Sequence, residues 1–273
     1  MPFFRSLVEA TYFPFKTSAA SRHDSLTHPR WTPRSSEPGG GYGGAMQALP
    51  RHAHPPKLSE RDVRLAPLAD LGPSRVGSDD LVTEHAVEQL SLSAHSSEFV
   101  ELASLTVARG SLADSDWYRT NWVDVQLSGV DAANAAFTES GLKRVEWRGA
   151  RLVGVVLSGC TLTDTSHADC QLQLANFRFA NLQRVSFTGC DLSGADFTNA
   201  RLQDVSFTDC NLQGATFAHA TSTRVSLAGG SLAGLKGLDG LRGATIHVDD
   251  LYDIAQEMAT ALGFQLTGPG ASG

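Results

Sequence analysis

The stretch DLSGADFTNARLQDVSFTDCNLQGATFAHA, residues 191–220, carries leucine or phenylalanine at every fifth position, from Leu192 to Phe217. An α-helix repeats every 3.6 residues and a β-strand every two, so neither keeps this spacing. Small or β-branched residues such as Ala195 and Val205 stand two positions before the large ones. Two inward side chains separated by one outward side chain describe a short extended segment, and the remaining positions suit a turn. Each five-residue unit therefore predicts one side and one corner.

The same register covers 29 units from Leu92 to Leu232, and it is weakest at Ser97, Ala132 and Ser222. A longer period of 20 residues runs through it, because valines recur in one file at positions 145, 185, 205 and 225. Twenty residues are four units, which predicts a four-sided coil with identical residues stacked above one another. We expect about seven coils and, at roughly 4.8 Å per coil, a height on the order of 35 Å.

Stretches such as ANFRFANLQRVSFTGCDLSGADFTNARL, residues 175–202, resemble the pentapeptide-repeat family, whose consensus is A(D/N)LXX. The resemblance implies an all-β solenoid, a right-handed quadrilateral parallel β-helix. Some members of that family protect DNA gyrase from quinolones. They are acidic rods that occupy the DNA-binding saddle of gyrase or topoisomerase IV, and they end in a C-terminal helix that helps to form a dimer.

The segments outside the repeats have a different composition. Ten of the eleven prolines precede residue 74, and EPGGGYGGAM at 37–46 reads as a flexible spacer. We therefore predict five segments: a disordered leader at 1–75, an N-terminal cap at 76–89, the β-helix at 90–247, a C-terminal helix at 248–264 and a disordered tail at 265–273. The leader has a docking peptide as its alternative. Residues 1–45 are expected to be dispensable, or an upstream misreading of the gene with Met46 as the true start.

Composition and motifs exclude several functions. The net charge of -7 and the pI near 5.7 argue against nucleic-acid binding, which needs a basic patch. No apolar run approaches a membrane span, and no secretory signal is present, so we expect a cytoplasmic protein. No nucleophile motif, Walker loop or dinucleotide fingerprint occurs, and we predict neither an enzyme nor a cofactor.

The four cysteines, at 160, 170, 190 and 210, all occupy the small inward position and lack CxxC spacing. We interpret them as packing residues, with no metal site. His167 interrupts a file of large residues, and we expect it to be an interior histidine that is hydrogen-bonded to a hydroxyl such as that of Thr165 or Ser166.

Two outer surfaces stand out. One corner file alternates acid and base over six coils, at Asp124, Arg144, Asp164, Arg184, Asp204 and Arg224. We expect each charge to pair with its neighbours above and below, leaving that face nearly neutral. Two other sides are more acidic, and we predict that they bind a protein partner through Asp114, Asp116, Asp131, Glu139, Asp191 and Asp196.

After Leu232 the five-residue register slips and a helical pattern begins. Its apolar residues include Leu251, Ile254, Met258 and Leu262. The stripe buries either against the chain's own last coil, as a cap, or against a second chain. The resemblance favours a homodimer through this helix.

Two functions remain. The first, which the resemblance implies, is a DNA mimic that binds gyrase or topoisomerase IV; the second is a general interaction scaffold with an unrelated protein partner. DNA carries one charge per roughly 1.7 Å, so a 35 Å segment would present on the order of 20 charges. Residues 90–235 hold 14 acids and 10 bases, a net charge of only -4. We predict protein binding, with topoisomerase protection as its most specific form.

Overall fold

A computed structural model describes residues 65–264, which form a four-sided parallel β-helix of about nine coils. The strands are β1 Ala66–Leu71, β2 Leu81–Ser91, β3 Ser96–Glu98, β4 Glu101–Val107, β5 Gly110–Ser111, β6 Asp116–Tyr118, β7 Asn121–Ser128, β8 Val130–Asp131, β9 Gly141–Arg148, β10 Thr161–Ala168, β11 Asn181–Thr188, β12 Arg201–Thr208, β13 Thr221–Ala228 and β14 Thr245–Ile246. Three 3-10 helices, at Pro73–Arg75, Leu238–Leu241 and Val248–Ile254, and one α-helix, α1 at Ala255–Ala261, complete the described chain.

The 20-residue register predicted from the sequence is confirmed. Leu162 pairs with Leu182, and Val185 pairs with Val205, each in parallel strands of successive coils. Because the coils between β2 and β13 all have 20 residues, like residues stack in the interior. The rings of Phe177 and Phe197 lie 4.7 Å apart and nearly parallel, and Phe217 continues the stack at another 4.7 Å.

The coil number and the first boundary were wrong. The solenoid has about nine coils instead of seven, because it starts at β1, before the pentad pattern becomes regular. Residues 66–71 were assigned to the leader, yet they pair with β2. Residues 81–89 were assigned to a cap, yet they pair with β4 in the ordinary 20-residue register. Residues 1–64 and 265–273, which include most of the expected leader, Met46 and the expected tail, lie outside the described residues.

Each coil has two unlike halves. We call the two sides built by a continuous strand, such as Asn181–Thr188, the strand half. In the other two sides of the regular coils, single-residue bridges join neighbouring coils, as at Asp191 and Asp196. We call these two sides the bridge half. The fifth residue of most units has a positive φ, for example 55° at Asp164 and 67° at Gly194, so each corner contains one left-handed residue.

The C-terminal segment caps the last coil. Its expected helix at 248–264 is a 3-10 helix followed by the short α1, which ends at Ala261, and Gly263 follows with a φ of 79°. Three carboxylates in this segment accept hydrogen bonds from backbone N–H groups of the last coil. Asp250 accepts from Gly229 at 2.9 Å, Asp253 from Leu232 at 3.2 Å, and Glu257 from Gly234 at 3.0 Å.

These carboxylates stand where the carbonyl groups of a further coil would stand. In the coil below, Leu212 N–H donates to Ser231 O and Gly214 N–H to Ala233 O, each 19 residues on. The segment therefore satisfies three backbone N–H groups at the edge of the last coil. Among residues 65–264, no helix is long and apolar enough to cross a membrane.

Candidate protein-binding surface

All six acidic residues predicted to bind a partner lie on the bridge half. Asp131 and Asp191 belong to one column of bridges, and Asp116 and Asp196 belong to the other. Asp114 and Glu139 occupy corners of the same half, with φ values of 57° and 55°. The 20-residue period was sufficient to place these side chains on adjacent sides.

Three of the six carboxylates are neutralised by arginines of the same half, a feature that the sequence did not reveal. Asp131 binds Arg151 at 3.1 Å, Glu139 binds Arg119 at 2.8 Å, and Asp196 binds Arg178 at 3.0 Å. Burial raises the pKa of Asp196, but hydrogen bonds from Thr198 and Arg178 outweigh it, and the net pKa is lowered. The predicted acidic surface thus consists largely of ion pairs.

The other three carboxylates have no cationic partner within the described range. Asn134 donates a hydrogen bond to Asp114 at 3.0 Å. Asp191 accepts from the Gln173 amide at 2.8 Å and from Asn211 at 3.1 Å. These donors are neutral, so Asp114, Asp116 and Asp191 keep three uncompensated negative charges spread over about four coils.

Two corners of one coil on the bridge half carry large apolar side chains. Leu174 is 67% exposed and Phe179 is 60% exposed, and both have a φ of 59°. The left-handed region costs an ordinary residue roughly 1–2 kcal/mol, which is why glycine and asparagine usually occupy it. Other coils have glycine in the file of Leu174, for example Gly194 and Gly214.

Neighbouring residues hold both side chains against the surface. A Cβ atom built on Gly194 would lie 2.9 Å from Leu174 Cδ2, so the leucine side chain lies directly over that glycine. The guanidinium of Arg178 lies 5.8 Å from the ring centre of Phe179, while its Nη1 binds Asp196. The two apolar side chains flank one side of the coil, with a neutralised ion pair between them.

Sequence reasoning missed Leu174 and Phe179, because it searched the outer files for charge alone. The signal was present in the sequence. The fifth position of a unit is usually glycine, aspartate, asparagine, threonine or serine, and an apolar residue there is both exposed and conformationally strained. Phe99 is a third case, at 50% exposure, and its ring meets that of Tyr118 edge to face at 6.3 Å.

The strand half carries the alternating charges, which form discrete pairs. Arg144 binds both carboxylate oxygens of Asp124 at 2.5 and 2.7 Å. Arg184 and Arg224 bind Asp164 and Asp204 in the same way. Among residues 65–264, no salt bridge joins an arginine of this file to the aspartate of the next coil, so the expected pairing both above and below is wrong. The arginine hydrogen bonds lower the pKa of Asp164 and Asp204.

The four cysteines lie inside the solenoid, at the small inward positions predicted from the sequence. All four cysteines are free and buried, and no cluster of metal-ligating side chains occurs in the part of the chain that the structure describes. Burial raises the pKa of the Cys160 thiol to about 12, which keeps it protonated. The thiols of Cys170 and Cys190 point at backbone carbonyl oxygens 3.3 to 3.6 Å away. The interpretation of these cysteines as buried packing residues is confirmed.

His167 is buried, but the expected hydrogen bond is absent. Its ring stacks on Phe187 with centres 4.7 Å apart, and neither its Nδ1 nor Thr165 Oγ1 has a partner among the described residues. Burial lowers the pKa of His167 to about 4, so the ring is neutral near pH 7.

Comparison with known proteins identifies the repeat. A family model described as "Pentapeptide repeat region" matches residues 160–236. No curated protein matches the chain. One similar solved structure is HetL from the cyanobacterium Nostoc sp. strain PCC 7120, a pentapeptide repeat protein involved in heterocyst differentiation regulation. HetL is 20% identical, and the match covers 66% of this chain and 90% of HetL with a TM-score of 0.27.

Two further structures show the same kind of repeat. Full-length QnrB1, a plasmid-mediated fluoroquinolone resistance protein, is 18% identical, with 73% of this chain and 98% of QnrB1 covered and a TM-score of 0.25. A pentapeptide repeat protein of the Arabidopsis thaliana thylakoid lumen is 25% identical, with 48% and 75% covered and a TM-score of 0.17. Residues 160–236 match a pentapeptide repeat region, and the same 20-residue coil continues on the N-terminal side of that range.

Proposed function

We propose that this protein is a non-enzymatic binding protein and that it binds another protein through the bridge half. The observation that carries the proposal is the exposure of Leu174 and Phe179 on adjacent corners of one coil. Large apolar side chains ringed by polar residues are typical of the centres of protein interfaces. Both residues also hold a costly left-handed conformation, and such strain is concentrated at functional surfaces.

The charges around the two residues define the partner's surface. Arg178 and Asp196 neutralise each other, and so do Arg151 and Asp131. The surface next to Leu174 and Phe179 is therefore close to neutral, with Asp191 as its uncompensated charge. The complementary surface is apolar at its centre and carries few basic groups at its rim.

A photo-crosslinking side chain tests which half binds. Placed at Asn176 of the bridge half, it should capture one specific protein from a native cell lysate. Placed at Gln183 of the strand half, which is also partly exposed, it should not capture that protein. Capture of the same protein only from Gln183 would contradict the assignment of the bridge half.

A second candidate is DNA mimicry at DNA gyrase or topoisomerase IV. It is favoured by the location of all six predicted acidic residues on one half of the solenoid. Only three of them lack an arginine partner, however, against on the order of 20 phosphate charges for DNA of similar length. We therefore expect weak inhibition of gyrase or none.

A supercoiling assay tests this candidate with matched variants. If the protein mimics DNA, it inhibits supercoiling, and the inhibition falls as salt rises. Asp114→Asn with Asp191→Asn should then abolish inhibition, whereas Asp169→Asn with Asp209→Asn, at exposed corners of another file, should not. Inhibition that both double variants retain would show that the acidic residues of the bridge half are not the mimic.

A homodimer through the C-terminal segment belongs to the same proposal. Ile254 packs on the last coil, but Leu251, Met258 and Leu262 remain 43%, 37% and 71% exposed. Val248, Tyr252 and Phe264 add exposed apolar area in the same segment. A second chain packed there would bury it. Light scattering should give a dimer for the natural chain and a monomer for Met258→Glu, and a monomeric natural chain would refute the dimer.

A further inference from the structure

Within residues 65–264, nothing pairs with the N-terminal edge of the solenoid, whereas three carboxylates bind the C-terminal edge. A parallel solenoid presents an unpaired strand edge at each end, and each edge needs a cap. Strand β1 pairs with β2 on one side, and no residue within 65–264 pairs with its other side. Leu81 of β2 is 63% exposed at the same end.

Beneath the first coil lies a cavity of about 280 Å³ that opens to solvent. Its lining combines the apolar side chains of Leu68, Leu71, Leu81 and Val82 with the polar side chains of Arg75, Thr83 and His85. A cavity of roughly 150 Å³ is enough to hold a benzene ring, so this one has room for two aliphatic side chains.

His85 provides a second, polar indication. It occupies an inward position of β2, lines the cavity, and its buried Nδ1 has no hydrogen-bond partner in the described part of the chain. Buried nitrogen atoms are nearly always paired in folded proteins. An occupant of this cavity therefore brings a hydrogen-bonding group as well as apolar side chains.

We propose that residues 46–64 of this same chain cap the N-terminal end, with Val63 and Leu58 filling the cavity. Residues 46–64 directly precede β1 in the sequence, so they are tethered to this end of the solenoid. β1 and β2 pair with an offset of 19 residues, and the same offset aligns Val63 with Val82, which lines the cavity. No other segment of the chain is tethered so close to this end.

Charge and proline content agree with this occupant. Residues 65–90 hold five acids and one base, while residues 46–64 hold four bases and two acids, so the two segments attract each other. The segment also contains Pro50, Pro55 and Pro56. Proline has no backbone N–H to donate, so it ends a sheet at its edge and prevents another strand from adding there.

The test uses the full-length chain. Leu58→Lys with Val63→Lys places two charges in the cavity, and the control Val8→Lys with Leu26→Lys places the same charges outside residues 46–64. Hydrogen exchange at residues 66–71 should become about tenfold faster in the first variant and stay unchanged in the control. The melting temperature should fall only in the first. A chain that begins at Met46 should exchange and melt like the full-length protein.

If the lysine variant does not fold, Leu58→Ala with Val63→Ala gives the same test more mildly. Exchange and melting that match the natural chain in the alanine variant or the lysine variant would overturn the proposal. So would a dimer of the natural chain that dissociates on Leu81→Lys, because a second copy would then be the occupant.

Discussion

The strand half and the bridge half of each coil share one core and one period, yet their corner residues differ. On the strand half, Arg184 and Asp164 bind each other with two hydrogen bonds, and the charges of that file are satisfied within it. On the bridge half, the apolar side chains of Leu174 and Phe179 are 67% and 60% exposed. The backbone therefore does not dictate the surface. The corner residues of the strand half pair with each other and stabilise the solenoid. Those of the bridge half include unpaired apolar side chains, to which we assign the proposed binding.

The interiors of the two halves differ as well. The bridge half contains the unbroken stack of Phe177, Phe197 and Phe217. The strand half contains Thr165 and His167, whose buried polar atoms have no partner among residues 65–264. The aromatic stack should be the more stable of the two interiors, and the polar pair should make the strand half sensitive to acid.

The largest effect should come from the aromatic stack. Phe197→Ala leaves a cavity between two parallel rings and should lower the free energy of unfolding by about 3–5 kcal/mol. Phe179→Ala removes the same side chain from an exposed corner and should change it by less than about 0.5 kcal/mol. Urea unfolding of both variants checks the difference. Equal losses would mean that the ring stack adds nothing to the core.

Acid should destabilise the strand half through His167. Its pKa is about 4 in the folded protein against 6.5 ordinarily, so between these values the unfolded chain binds more protons. The resulting loss in the free energy of unfolding is absent above about pH 6.5 and grows to roughly 3 kcal/mol as the pH falls toward 4. His167→Phe should remove this loss, which urea midpoints at pH 7.5 and 4.5 would measure. Asp164 and Asp204, whose pKa values are lowered, also lose their stabilising effect in acid, but only below about pH 4. This second loss of stability should remain in the His167→Phe variant.

The paired charges of the strand half should contribute less. Arg184→Asp replaces a bidentate pair by a repulsion between two acids and should cost about 1 kcal/mol, because the pair is partly exposed. Adding Asp164→Arg restores the pair in reverse and should recover part of the loss. Melting temperatures at low and high salt measure both steps. Single and double variants that melt alike would show that the pair does not stabilise the solenoid.

The sequence predicted the coil and its register well, because a period of 20 stacks like residues regardless of detail. It placed Asp131 and Asp196 on the correct half, but their ion pairs with Arg151 and Arg178 depend on side-chain reach, which a period does not contain. The start of the solenoid was missed because β1 pairs with an offset of 19 and escapes a strict five-residue register. Asp250, Asp253 and Glu257 lie in a segment whose helical pattern was recognised from its apolar residues. The hydrogen bonds of the three carboxylates to the last coil were not predicted.

The central claim is that the bridge half binds a protein through Leu174 and Phe179, and glycine at both positions tests it most directly. Glycine adopts their left-handed conformation without strain, so Leu174→Gly with Phe179→Gly should raise stability by roughly 1 kcal/mol while weakening binding to the crosslinked partner about tenfold or more. Asp169→Gly with Asp209→Gly changes two left-handed corners of another file and should leave binding unchanged. Full binding by the Leu174 and Phe179 variant would contradict the claim.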